Sequence, residues 1–169
     1  MLKDLSNLKV AIITDSMFSF GGSDRLMISL FEIFPKSEIF TTVYNPKKYN
    51  ITKKVNTSFV QHFGFLARYL SFLFPYSFEQ FDLSSFDFVI SLSAGPAKNI
   101  IPGVYQPHLS IILTPPRHYW DGELNVRGRI IKRVLSVISK FMLTHLRIVD
   151  ILSMKRIKSV ISISKYIQK

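Results

Sequence analysis

Short apolar runs alternate with segments of helical periodicity along this chain, and that alternation restricts its fold more than any other feature. Strand-like runs cover residues 9–14, 38–43, 55–60, 86–92, 108–113 and 159–162. Helical patterns cover residues 23–34, 65–74 and 126–152, and Ser164 is placed to cap one more helix. Strands that alternate with helices form parallel sheets. The sequence therefore predicts an α/β fold: a Rossmann-like open, mostly parallel sheet with helices on both faces.

The composition fits one domain of 169 residues and excludes several kinds of site. Hydrophobic residues make up 47% of the chain, which is enough to bury a core and argues against disorder. Because there is no cysteine, disulfides and thiolate metal sites are excluded. The four histidines do not have the spacing of metal ligands, and we expect no metal site.

Neither a signal peptide nor a membrane-spanning helix is predicted. The apolar run near the N-terminus is too short for a signal peptide. The uncharged stretch 99–116 contains four prolines, which break a helix. The apolar run 134–146 is interrupted by Lys140 and falls short of the ~20 residues that a span needs. We therefore expect a cytoplasmic protein, either free or peripheral on the inner face of the membrane.

The net charge of +11 is concentrated in the last third of the chain. Residues 1–116 carry ten basic and eight acidic side chains, whereas residues 117–169 carry twelve and three. One face of the predicted helix 126–152 collects basic residues: Arg129, Lys132, Arg133, Lys140 and Arg147. The adjacent stripe is apolar and is predicted to face the core: Ile130, Val134, Val137, Phe141, Ile148 and Leu152. The pattern fits a helix resting on an anionic membrane or a core helix with a solvated basic side.

Two glycines follow the first predicted strand, in the loop that leads to the first helix. Gly21 and Gly22 have no Cβ, so a ligand can approach the backbone closely. The start of the next helix offers free N–H groups and a positive dipole end, which suit an anion such as a diphosphate. The loop is neither G-x-G-x-x-G nor a P-loop and predicts no dinucleotide or nucleoside-triphosphate site. An ordinary tight turn explains the glycine pair equally well.

Two more loops follow apolar strands, and ligands of open α/β sheets bind at that end of the strands. After the fifth predicted strand, two prolines fix the backbone before Arg117, a bidentate donor for phosphate or carboxylate, and Trp120, a flat surface for a sugar or lipid. Alternatively, Trp120 is buried and Arg117 pairs with Asp121. After the fourth predicted strand, Ser93 lies among small and hydroxyl residues that leave room for a ligand.

Eight aromatic residues lie between positions 63 and 81, around the predicted helix 65–74 that Pro75 should end. Some of them must pack in the core. The excess fits either additional core or a groove for lipid.

Four stretches resemble the N-terminal domain of family 4 glycosyltransferases, in particular the mannosyltransferase-like branch of cell-surface polysaccharide synthesis. They are KVAIITDSMFSFGGSDRLMISLFEIFPKSEIFTTVYNPKKY, EQFDLSSFDFVISLSAGPAKNI, LTPPRHYWD and HLRIVDILSMKRIKSVISISKYI, in register over nearly the whole chain. The resemblance implies a GT-B architecture, in which two Rossmann-like domains enclose the active site. The N-terminal domain faces the acceptor, and a C-terminal domain binds the nucleotide sugar through a Glu-x₇-Glu motif. It implies no cofactor beyond that nucleotide-sugar co-substrate.

The resemblance also assigns roles to particular residues. Gly21 and Gly22 match the loop near the donor phosphates, and Asp15 matches an aspartate at the start of that loop. Thr114 and Arg117 match the segment that lines the cleft on the acceptor side. The family often has histidine at two positions where this chain has Thr14 and Leu113. The catalytic residue is left unassigned.

Three functions are compatible with these patterns. In the first, the chain is the acceptor-side domain of a retaining glycosyltransferase. It then needs a donor-binding C-terminal domain or a separately encoded half as its partner and is inactive alone. In the second, the chain is a non-catalytic basic module that binds a membrane surface or a polyanion. The third alternative is a remnant without function. Nucleic acid is not an expected partner, since no nucleic-acid motif occurs and the aromatic residues do not interleave with the basic ones.

Overall fold

Six parallel strands form one open sheet in the order β3-β2-β1-β4-β5-β6. The computed structural model of the protein describes residues 5–120 and 129–165, without the side chains of residues 68, 69, 71, 118 and 129–139. The strands are β1 Val10–Thr14, β2 Glu38–Thr41, β3 Val55–Thr57, β4 Phe88–Ser93, β5 His108–Ile112 and β6 Ser159–Ser162. Every strand pair in this sheet is parallel. The predicted Rossmann-like α/β fold is therefore confirmed.

Besides the strands, residues 5–120 and 129–165 form four α-helices and five 3₁₀ segments. The helices are α1 Gly22–Ile33, α2 Phe74–Ser77, α3 Arg117–Trp120 and α4 Arg129–Arg156. The 3₁₀ segments are Leu5–Asn7, Pro46–Lys48, Phe59–Tyr69, Ser71–Leu73 and Pro96–Asn99. Within residues 5–120 and 129–165, no helix has the combination of length and apolarity needed to cross a bilayer.

Side chains on the two faces of the sheet pack into separate cores. On one face, Val10 and Ile12 of β1 pack with Met27 and Leu30 of α1. On the other face, Ala11 and Ile13 pack with Phe78 and Leu83 from the chain after α2 and with Ala97 from the segment Pro96–Asn99. Successive strand residues point to opposite faces, so the apolar residues 10–13 of β1 can fill both cores at once.

The helix predicted over residues 65–74 is wrong. The chain there makes 3₁₀ turns that are interrupted at Gly64, whose φ of 55° lies in the left-handed region that glycine tolerates best. Pro75 does not end a helix and lies instead in the first turn of α2. The N–H groups of a first helical turn have no partner within the helix, so a proline there loses no hydrogen bond. The local aromatics divide accordingly: Phe74 and Phe78 are buried, whereas Phe65 is exposed.

The predicted core face of α4 is also wrong. The helix buries Leu143, Leu146, Asp150 and Ser153, a row about half a turn away from the predicted stripe. Three members of that stripe are exposed instead: Phe141, Ile148 and Leu152. The other three, Ile130, Val134 and Val137, have side chains outside the described part of the chain. The error arises because a hydrophobic pattern assigns Asp150 to solvent, whereas the fold buries it in an ion pair.

Candidate functional site

The carboxyl ends of β1, β4 and β5 place the predicted site residues along one edge of the sheet. From β1 the chain moves outward through β2 and β3, and then returns to the other side of β1 for β4, β5 and β6. The direction of winding changes between β1 and β4. In open α/β sheets the crevice at such a point is where ligands bind. Asp15 follows β1, residues 94–97 follow β4, and residues 114–120 follow β5.

Asp15 connects the two loops that border this crevice. Its Oδ2 accepts a hydrogen bond from the N–H of Ala94 at 2.7 Å, and its Oδ1 accepts one from the N–H of Ala97 at 2.6 Å. The Asp15 carbonyl accepts the hydroxyl hydrogen of Thr42 at 2.5 Å, which adds the end of β2 to the same cluster. The side chain is partly buried. One aspartate therefore holds three strand ends in a fixed arrangement.

Burial raises the pKa of the Asp15 carboxyl to about 6, because an ionised carboxylate loses hydration there. The amides of Ala97 and Ala94 and the charge of Lys98 lower this pKa but do not compensate fully. A carboxyl group that titrates close to neutral pH can exchange a proton with a ligand in the crevice.

Ser93 shapes the neighbouring loop and is not open to the crevice. Its hydroxyl donates to the carbonyl of Gly95 at 2.7 Å and accepts from the Gly95 N–H at 3.3 Å. The side chain is fully buried. A Cβ on Gly95 would lie at ordinary contact distance, 3.8 Å, from the Asp15 carboxylate. Ser93 therefore affects the site by fixing the path of its loop. Direct contact between Ser93 and a ligand stays a prediction.

The N-terminus of α1 already holds a negative charge of its own. The Asp24 Oδ2 accepts the N–H of Gly21 at 2.6 Å, and the Asp24 side chain is buried. Burial and the charge of Asp24 raise the pKa of Tyr49, which lies behind the carboxylate. Gly21 and Gly22 themselves are exposed, and a Cβ on Gly22 would meet nothing within 4 Å. An anion arriving here meets accessible backbone together with a resident carboxylate.

The loop after β5 presents two of its predicted residues to solvent. Thr114 and Arg117 are exposed, and Pro116 between them is buried and anchors the loop. The Arg117 guanidinium makes no ion pair with any side chain in the described part of the chain. The alternative partner, Asp121, lies outside the described residues. As far as the described residues are concerned, the Arg117 guanidinium is therefore available to a ligand.

Trp120 is half-exposed, and its indole ring is contacted by two side chains of α4. Its Nε1 donates to the Asp150 Oδ2 at 3.1 Å, and 46% of the residue remains accessible. The Arg147 guanidinium lies 5.9 Å from the indole centre and donates from Nε to the Tyr119 carbonyl at 2.6 Å. The ring therefore keeps one open surface at the edge of the crevice, in a fixed orientation.

A buried ion pair below Trp120 was not predicted from the sequence. Lys98 Nζ lies 2.5 Å from the Asp150 Oδ1, and the two residues are only 4% and 7% exposed. Both are isolated charges in the sequence. Lys98 is the one charged residue between Asp87 and Arg117, and Asp150 is the one acidic residue after Glu123. An isolated charge in an apolar segment requires a partner, and that signal could have identified the pair.

The predicted basic face of α4 is only partly described. Lys140 is exposed, as a membrane-facing residue should be. Arg147 instead points at the loop after β5 and bonds to its carbonyls. The side chains of Arg129, Lys132 and Arg133 lie outside the described part of the chain. Among the described residues, no group of histidine and acidic side chains could hold a metal ion.

Comparisons with protein families, with curated proteins and with solved structures give no match to this chain.

The raised pKa of Asp15 predicts a pH-dependent contribution to stability. In the unfolded chain the group titrates near 3.8, and in the fold near 6. Its stabilising contribution is complete below the unfolded value and is lost as the pH rises through the folded value. The shift corresponds to about 3 kcal/mol. We expect Asp15→Asn, which cannot ionise, to gain about 3 kcal/mol in unfolding free energy relative to the wild type between pH ~4 and ~7.5.

Urea unfolding of both proteins across this pH range measures the difference. Groups such as His108 titrate in both proteins and cancel in the comparison. Parallel curves for the variant and the wild type would show that Asp15 ionises as freely in the fold as in the unfolded chain.

The Lys98–Asp150 pair predicts a large cost when one partner is removed. Lys98→Met leaves the buried Asp150 charge without its cation, and such losses cost about 3–5 kcal/mol. Lys54→Met is the matched control, since Lys54 and Glu38 form an exposed pair at 2.9 Å whose loss should cost ~1 kcal/mol or less. We expect Lys98→Met/Asp150→Leu to recover much of the stability in urea unfolding. Equal effects of Lys98→Met and Lys54→Met would contradict this account.

Proposed function

We propose that this chain is the acceptor-side domain of a retaining glycosyltransferase of the GT-B type. The enzyme transfers a sugar from a nucleotide sugar to a lipid-linked or glycan acceptor. The observation that carries the proposal is the strand order, which brings Asp15, the start of α1 and the loop 114–120 to one edge of the sheet. These are the segments that the glycosyltransferase pattern in the sequence assigns to the cleft.

Each accessible group at this edge has a role that fits sugar transfer. Arg117 is an exposed guanidinium without a described partner and suits a phosphate or carboxylate of the acceptor. Trp120 offers a fixed aromatic surface on which a sugar ring can stack. Asp15 exchanges a proton near neutral pH. A donor-binding domain, on a longer chain or separately encoded, holds the nucleotide sugar opposite Gly21 and Gly22.

A reconstitution assay tests this function. The chain is combined with candidate donor-binding domains, including any encoded by a neighbouring reading frame that carries Glu-x₇-Glu, and assayed with a panel of nucleotide sugars and lipid-linked acceptors. We expect transfer only when both halves are present. Arg117→Gln should lower kcat/KM by about 10- to 100-fold, the value of one hydrogen bond to a charged group.

Lys155→Gln is the control for this assay, because Lys155 is exposed near the far end of α4. It should leave transfer unchanged. Transfer by the chain alone, or an equal loss in both variants, would count against the assignment of the cleft to this edge.

A second candidate function is a non-catalytic module that binds an anionic membrane, and the exposed stripe on α4 favours it. Phe141 is 83% exposed, and Ile148 and Leu152 continue the stripe on the side opposite the buried row. Lys140 and Lys155 are exposed on the same helix. An apolar stripe flanked by lysines suits the interface of an anionic bilayer, where each basic residue contributes ~1 kcal/mol.

Vesicle flotation tests this candidate. Phe141→Ser should weaken binding to anionic vesicles by about tenfold, since burial of a large apolar side chain contributes ~1.5–3 kcal/mol. Phe65→Ser is the matched control, because Phe65 is equally apolar and 76% exposed but lies in the 3₁₀ segment Phe59–Tyr69. If the wild type fails to float with anionic vesicles at low salt, or if both variants bind like the wild type, α4 does not contact the bilayer through this stripe.

A further inference from the structure

A pocket of about 160 Å³ opens at the edge of the sheet opposite the crevice, beside the start of β5. Its wall on one side is the loop 101–104, and on the other side are His108, Arg156 and Lys158. A second pocket of about 320 Å³ adjoins it and shares Gln106, His108 and Lys158. The two pockets lie at the amino ends of the strands, so no part of the function proposed above uses them.

The lining carries positive charge that no acid in the described part of the chain neutralises through an ion pair. Arg156 and Lys158 line the first pocket, and neither it nor the adjoining pocket is lined by an aspartate or glutamate. Arg156 uses one donor, Nη2, on the carbonyl of Asn99 at 3.2 Å and keeps its remaining N–H groups. Neither side chain forms an ion pair within the described residues. Two basic side chains that line the same concave surface attract a ligand with two negative charges.

The polar groups of Gln106 are already used, which leaves His108 as the remaining polar side chain of the pocket. The Gln106 amide donates to the carbonyls of Leu83 and Phe86, and its Oε1 accepts the N–H of Gly103. These bonds fix the loop that forms the pocket wall. Gln106 therefore gives the pocket its shape and leaves recognition to the charged groups.

His108 is buried and is held in one orientation by the sheet. Its Nε2 lies 2.9 Å from the Ser91 hydroxyl, and that hydroxyl donates to the Ser110 hydroxyl at the same distance. Ser91 therefore uses its hydrogen on Ser110 and accepts the His108 Nε2–H. The Nδ1 of His108 makes no hydrogen bond to any described residue. Burial and the charge of Arg156 lower the pKa of His108 to about 4, so the imidazole is neutral in the empty pocket at physiological pH.

We propose that this pocket binds a phosphate monoester dianion, with Arg156 and Lys158 as its counter-charges and His108 as a third, inducible contact. A bidentate guanidinium and an ammonium group are the side chains that proteins use for phosphate. The bound dianion places a negative charge next to His108, which has no such neighbour in the empty pocket. Protonation of Nδ1 then adds a charge-assisted hydrogen bond, so ligand binding and proton uptake are coupled.

NMR titration of the His108 ring tests the proposal on the intact chain. Inorganic phosphate and glycerol phosphate are the free probes, with chloride at equal ionic strength as the reference. We expect either phosphate to raise the pKa of His108 from about 4 towards the ordinary range of histidine. The groups that face His108 are Arg156 on α4, Lys158 before β6 and the hydroxyls of Ser91 and Ser110.

Matched variants separate this site from general attraction to a basic protein. Arg156→Gln and Lys158→Gln should each raise the phosphate concentration that gives the half-maximal change at His108 by about tenfold. Lys9→Gln removes an exposed charge before β1 that does not line either pocket and should leave the change intact. The comparison uses only the difference with and without phosphate, since Arg156→Gln alone also raises the pKa of His108.

Vesicles that contain phosphatidic acid distinguish a lipid headgroup from a free phosphate monoester. If the vesicles move the His108 resonances and free phosphates also do so, the ligand is a soluble ester that a headgroup can imitate. If only the vesicles act, the ligand is a headgroup. If neither moves them, or if all three variants respond alike, the pocket is not a phosphate site.

Discussion

Strand β1 pairs in parallel with strands on both sides, and that pairing determines where the loops of the candidate site lie. Because β2 and β4 both run alongside β1 in the same direction, their carboxyl ends meet at one edge. The apolar sequence of β1 makes this central position possible, since each of its residues is buried on one face or the other. The crevice follows from this arrangement and needs no special feature of the loops.

A second constraint operates below the loops, in the polar contacts that α4 buries. Asp150 binds Lys98 from the loop after β4 and the indole of Trp120 from the loop after β5. Arg147, one turn earlier on the helix, bonds to the backbone of Tyr119. The helix therefore fixes two of the three loops at the crevice through charged groups. Apolar packing alone would leave the orientation of Trp120 free, whereas a buried ion pair has one good geometry.

The strands and their direction could be predicted from the sequence, since each strand is a short apolar run between polar turns. All six predicted strands exist, and their positions differ from the structure by only a few residues at the ends. The two failures have different causes. The segment 65–74 is as apolar as a core helix, but Gly64 and Pro75 set its turns. The face of α4 was misassigned because the pattern counts Asp150 as a surface residue. The first error concerns backbone conformation, and the second comes from reading hydrophobicity without the partner that a polar residue finds in three dimensions.

Candidate site residues were predictable as positions along the chain but not as available groups. Asp15, Arg117 and Trp120 do lie at the predicted edge of the sheet, because the end of a strand fixes where the next residue lies. Whether a group is free depends on contacts from distant elements, which a local pattern does not contain. Ser93 is closed on its own loop and Arg147 is bonded to carbonyls, although both looked available in the sequence.

The start of α1 shows how such contacts limit the chemistry of the crevice. A helix N-terminus attracts anions through its free N–H groups and its dipole, but here the Asp24 carboxylate occupies the Gly21 N–H. A diphosphate placed at the same point would have to displace a carboxylate and then lie close to it. Asp24 is buried and cannot turn into solvent without opening the first turn of the helix. A phosphate bound here would therefore need cationic side chains to neutralise it, and on the described segments at this edge Arg25 in the first turn of α1 and Arg117 after β5 are exposed arginines. A second domain that closes over the crevice would have to bring the remaining positive charge.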